Sequence, residues 1–167
     1  MQLFFSGTAF RLGALIRHRD GVAALEFALI APILLLLLMG TVEFSILMYV
    51  QSVMEGAAYN ASRLGKTGYA ASGQTRLQNV LATINARIGG LVDTSQMNVS
   101  AISYGSWSQV PQNAPASNVQ NLGGAGNVVV YTLSYPWHIA TPLMQAFLGT
   151  NGTYTIQVRA VVQNEPF

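Results

Sequence analysis

Cysteine is absent from the 167 residues, histidine occurs twice, and charged residues make up only 8% of the chain. The first absence removes disulfides and thiol chemistry, although it does not fix the compartment, because extracytoplasmic proteins also exist without disulfides. The scarcity of histidine leaves His138 as the one such residue after the first 21. Asp93 stands alone, and no serine sits in a G-x-S-x-G signature. A triad of a serine, His138 and Asp93 is compatible with composition, but a packing or surface role for His138 beside Trp137 is the simpler reading. Metal sites need clustered His, Cys or carboxylates, and none cluster along this chain. No enzyme activity, catalytic residue, metal or cofactor is therefore expected.

Charge is also unevenly placed. Arg11, Arg17 and Arg19 against Asp20 put the whole formal charge of +2 before Gly21. The remainder balances five bases (Arg63, Lys66, Arg76, Arg87, Arg159) against five acids (Glu26, Glu43, Glu55, Asp93, Glu165). With no basic patch left, a nucleic-acid partner is not expected. Gly123, Gly124 and Gly126 precede a strand pattern, not a helix, and so are no phosphate loop. Tyr104, Trp107 and Trp137 fit either an aromatic binding surface or half-exposed sheet packing.

What the chain has in excess is one apolar run, GVAALEFALIAPILLLLLMGTVEFSILMYV, from Gly21 to Val50. From Val22 to Val50 a continuous helix would be about 43 Å long, against a hydrocarbon core of about 30 Å. Its only charged residues are Glu26 and Glu43. Ten strongly apolar residues between them contribute roughly −3 to −6 kcal/mol to insertion, against about 2.5 to 3.5 for a carboxylate at mid-membrane. Separated by about 25 Å of helix, the two acids can each sit near an interface, so the run is expected to span a membrane. The arginines before it put the N-terminus in the cytoplasm and the chain after about residue 50 outside. A secretory signal peptide would carry a shorter apolar region ending at small residues.

The run continues as an amphipathic helix, with Phe44, Leu47, Met48, Val50, Met54, Ala57, Ala58, Ala61 and Leu64 at mostly three- and four-residue steps. Gly65 or Gly68 is expected to stop it. Thr75 and Gln78 have capping-box spacing ahead of Leu77, Val80, Leu81, Ile84 and Ile88, so a second helix is expected before Gly89-Gly90. Strands are expected over Met97 to Tyr104, Asn127 to Tyr135 and Thr153 to Val162, with a long loop from Gly105 to Asn127. Thr141-Pro142 reads as the cap and first turn of a short helix ending at Gly149, before an Asn-Gly turn. The class is α+β: a long N-terminal transmembrane helix extending into a small domain with an antiparallel sheet of about three strands. The divisions are a basic leader (1–21), a transmembrane helix (22–50), its amphipathic extension (51–68) and an extracytoplasmic domain (69–167).

The arrangement RHRDG/VAALEF, a basic leader, a glycine and a glutamate at the fifth place after it, resembles the type IV pilin class. The wider stretch GVAALEFALIAPILLLLLMGTVEF, together with AAYNASRLGKTG (Ala57 to Gly68) and the terminal QNEPF (Gln163 to Phe167), resembles the TadE-like family of the tight-adherence (Tad) pilus machinery. That resemblance implies a minor pilin-like protein, or pseudopilin, in the inner membrane, with a pilin-like architecture. It implies cleavage between Gly21 and Val22 by a prepilin peptidase, for which a residue without a side chain permits close approach to the backbone. It further implies that Glu26 pairs with the N-terminus of a neighbouring pilin-like subunit. Phe27 and Pro32 belong to the same packing stretch, Pro32 adding an expected kink, and Glu43 is expected as an interfacial anchor. The competing reading is an uncleaved single-pass adaptor whose outer domain binds a partner protein or ligand.

Overall fold

A computed structural model describes residues 20–112, 119–148 and 151–167. Helix α1 runs from Asp20 to Lys66, 47 residues, unbroken through Pro32. By packing the chain divides into two units, between Met39 and Gly40. In the first, the side chains from Gly21 to Met39 are exposed apart from the partly covered Ala31. This segment belongs to a helix long and apolar enough to cross a membrane.

From Gly40 the pattern changes. Gly40, Glu43, Leu47, Val50, Met54, Ala57, Ala58, Ala61 and Gly65 are buried, a stripe at three- and four-residue steps. One face of α1 is therefore already packed over the last eleven residues of the 22–50 stretch. The residues shrink from leucine and methionine to alanine and glycine along the stripe, which lets other elements approach the backbone closely.

Helix α2 spans Arg76–Ile88. Its capping box forms as the spacing predicts: Gln78 N–H donates to Thr75 Oγ1 at 3.2 Å, and Thr75 N–H donates to Gln78 Oε1 at 2.8 Å. Val80, Ile84 and Ile88 form its buried face. Strands β1 (Asn98–Tyr104), β2 (Val128–His138) and β3 (Thr153–Gln163) make an antiparallel sheet in the order β1-β2-β3. Register pairs Ala101 with Tyr131 and Tyr131 with Ala160. The second strand runs three residues past the expected Tyr135. Pro136 is tolerated there because β1 accompanies β2 only as far as Ser134, so its missing N–H takes nothing from that ladder.

The core joins the α1 stripe to the buried face of α2 and to Val129, Tyr131, Leu133, Ile156, Val158 and Ala160 of the sheet. Within the segment expected as a loop, Trp107–Gln109 forms one 3-10 turn. The chain then returns beside β1, where Ala101 N–H donates to Val119 and Asn121 N–H donates to Ala101, at 2.8 and 2.7 Å. Helix α3 spans Pro142–Leu148. The class is α+β, as expected: a long apolar helix leading into a small domain with a three-stranded antiparallel sheet.

Candidate functional site: the apolar helix and the clasp at its far end

Gly21 and Val22, the residues expected at a processing site, lie at the start of α1. Gly21 is in its first turn, and among the described residues no neighbour would obstruct a side chain there. Val22 and Phe27 are exposed at 53% and 70%, and Glu26 and Pro32 are exposed as well. Because the Gly21-Val22 bond is helical, a peptidase that needs an extended backbone has to unwind one turn first. The leader expected over 1–21, with Arg11, Arg17 and Arg19, lies outside the described residues up to position 19.

Glu43 has a partner that the sequence does not reveal. Its side chain is buried, and its carboxylate accepts hydrogen bonds from the backbone N–H of Ala140 and, at 3.0 Å, of Thr141. These donors lie where α3 begins, and a negative charge is favourable at a helix N-terminus. Thr141 was the expected cap, yet its hydroxyl is buried with no hydrogen-bond partner among the described residues. The carboxylate of α1 serves in its place.

At the other end of α1, the two short stretches that carry the later part of the family resemblance meet. Gly65 does not stop the helix. It lies inside it, and a Cβ added there would overlap the Tyr131 hydroxyl. Gly68 takes the left-handed conformation, with φ +69°, just after the helix ends, and the Phe167 ring lies against it. Glu165 N–H donates to the Lys66 carbonyl at 3.0 Å, satisfying one of the acceptors that a helix end leaves open. The Glu165 carboxylate also pairs with Lys66 Nζ at 3.0 Å.

Asn164 fastens this tail to the glycine-rich loop. Its Nδ2 donates to the carbonyls of Leu122 and Gly124 at 2.8 and 2.9 Å. Arg76, at the start of α2, donates to Leu122 and Gly123 from the other side, and its guanidinium stacks 5.0 Å from the centre of the Phe167 ring. A cation over an aromatic face is attracted by the ring quadrupole. Residues of α1, α2, the loop and the tail thus form one clasp. Ala57 to Gly68 and Gln163 to Phe167 stand far apart in the sequence, and Arg76 carries no local signal of a part in joining them. The spacing of the two stretches, roughly a hundred residues, holds no signal that they touch.

The residues weighed for catalysis have separate partners. Asp93 accepts from the Ser95 hydroxyl at 2.7 Å, from Ser95 N–H at 3.0 Å and from Gln96. These bonds, with the Ser95 hydroxyl foremost, hold its carboxyl below the usual range. His138 Nδ1 lies 3.4 Å from Thr153 Oγ1. Among the described residues no three His, Cys, Asp or Glu side chains gather as metal ligands. Of the three aromatics, Trp107 is exposed and its indole donates to Gln163 at 3.2 Å, whereas Trp137 packs against the core.

The class these elements define is a helix-led α+β protein with one segment able to cross a membrane. Residues 21–63 match the model of the TadE-like protein family, as the apolar run and its glutamates led one to expect. That family is a structural, pilus-related one, and the match points to a pilin-like protein associated with the Tad pilus. No curated protein and no solved structure matches the chain.

Proposed function

We propose that this chain is a minor pilin-like (pseudopilin) structural subunit of a Tad-type pilus or secretion assembly. It is cleaved after Gly21 by a prepilin peptidase and inserted in the bacterial inner membrane with its outer domain on the extracytoplasmic side. The supporting observation is the coincidence of the TadE-like match over 21–63 with a bare apolar segment that ends where packing begins, at Gly40. The segment from Val22 to Met39 amounts to about 27 Å of helix, close to a hydrocarbon core of about 30 Å. Tertiary packing leaves that face open to lipid or to the helices of other pilin-like subunits.

Cleavage would create a cationic amine at Val22, and Glu26 lies one turn away on the same helix. In a sparsely polar helix one carboxylate is a strong orienting contact, so Glu26 sets the stagger against a neighbouring subunit, with Phe27 and Pro32 shaping the packed surface. Glu43 would stand near the outer interface. In cells carrying the pilus machinery, the protein is expected in the membrane fraction and is recovered with pilin-like partners after crosslinking. Glu26→Ala is expected to lose that recovery while leaving membrane insertion intact. Undiminished recovery and assembly with Glu26→Ala would end the pairing role.

A further inference from the structure

Nine charged side chains lie between Gly40 and Phe167, and seven of them have a bond within the domain. Glu43 binds two backbone N–H groups, and Glu55 accepts from Gln51. Lys66 pairs with Glu165, Arg76 and Arg159 each hold two carbonyls, and Asp93 holds Ser95 and Gln96. Of these nine, the side chains of Arg63 and Arg87 alone have neither a hydrogen bond nor an ion pair among the described residues. They come from different helices and line the same cleft, of about 630 Å³, between the end of α1 and α2.

We infer that this cleft, built on Arg63 and Arg87, is a docking site for an acidic peptide segment of a partner protein. Two guanidiniums offer forked donors that suit carboxylates. The walls between them mix apolar surface from Leu64 and Ala86 with the amide of Asn60 and the hydroxyl of Thr83, which suits a stretch of polypeptide better than a bare ion. The volume lies in the range of about 300 to 1,000 Å³ of clefts that hold a drug-sized ligand, room for a short stretch of side chains. An anionic lipid headgroup is the wrong occupant. Arg63 follows the apolar segment by about 24 residues, or about 36 Å of helical rise, whereas headgroups add only about 5 to 8 Å on each side of the hydrocarbon. This last step rests on the membrane reading of 22–39, and the rest does not.

The test uses the full-length chain in detergent micelles, titrated with a fluorescently labelled, end-blocked hexaglutamate peptide at low salt. Saturable binding is expected, weakened at least tenfold by Arg63→Gln with Arg87→Gln and by Ala86→Trp, which fills the cleft without changing charge. Arg11→Gln with Arg17→Gln removes the same charge elsewhere and is expected to leave binding unchanged. Near-UV circular dichroism matching that of the wild type shows that the exposed arginines were not needed for folding. Failure to bind, equal binding by the cleft variants, equal loss in the leader variant, or displacement of the peptide by stoichiometric inorganic phosphate or by phosphatidylglycerol vesicles would each overturn the inference. Because the leader stays attached throughout, the outcome is independent of whether the chain is processed.

Discussion

The carboxylate of Glu43, on the long helix, binds the backbone N–H of Thr141, at the start of α3, at 3.0 Å across 98 positions of sequence. Together with the bond from Ala140, it makes an apparently misplaced acid of an apolar helix the cap of a short one. Glu43→Ala would leave two N–H groups without their acceptor, a loss of about 1 to 3 kcal/mol. Glu43→Gln keeps one acceptor oxygen and should fall between the two. Denaturant unfolding of the three proteins in the same detergent, followed by tryptophan fluorescence, checks that order, and equal midpoints would contradict it.

Gly65 and Tyr131 make a second close relationship. Alanine is the better helix former by about 1 kcal/mol, so Gly65→Ala would stabilise an isolated helix. Here its Cβ runs into a fully buried phenol, and overpacking typically costs about 1 to 3 kcal/mol, so the net effect is expected to be destabilising. Tyr131→Phe removes a hydroxyl that has no hydrogen-bond partner among the described residues and is expected to cost little. Combined, the two changes should recover part of the loss, a non-additivity that a double-mutant cycle measures.

Burial pushes the Tyr131 phenol above its ordinary value near 10, with the nearby Arg76 cation acting in the opposite direction. The folded state thus holds this proton more tightly than the unfolded chain does. The contribution to stability is complete below the unfolded pKa of about 10 and is lost as pH rises through the higher folded value. Alkaline unfolding above pH 10 should therefore be less steep in Tyr131→Phe than in the wild type.

The clasp separates strong from weak contacts. Asn164 is buried and bonds two carbonyls, so Asn164→Ala is expected to cost about 1 to 3 kcal/mol at any salt concentration. The Lys66–Glu165 pair is about half exposed, and Lys66→Ala should cost about 0 to 1 kcal/mol, falling further in salt. Thermal melts of both variants at low and high ionic strength check the contrast.

How far these features were legible depends on how local their causes are. The capping box of Thr75 and Gln78, the β-branched run of β2 and the alternation of β3 declare themselves within a few residues, and all three elements formed. The apolar stripe of α1 is visible for the same reason from Leu47 to Ala61, whereas Phe44 and Met48, which the spacing also places in it, are exposed. Gly65 was ambiguous because a glycine near a helix end can be a stop or a place for another side chain, and only Tyr131, from the sheet, decides between them. Glu43 and Arg76 were less legible still, since an acid in an apolar run and a base at a helix start both have adequate local explanations. Their partners lie on elements brought close only by the fold.

The proposal that α1 is a trimmed membrane anchor is tested most directly by the mass of the protein recovered from membranes of cells that carry the pilus machinery. A polypeptide beginning at Val22 is expected, and Gly21→Arg should abolish the mass difference. A mature chain that still begins at Met1 or Gln2 would contradict it and favour the uncleaved adaptor.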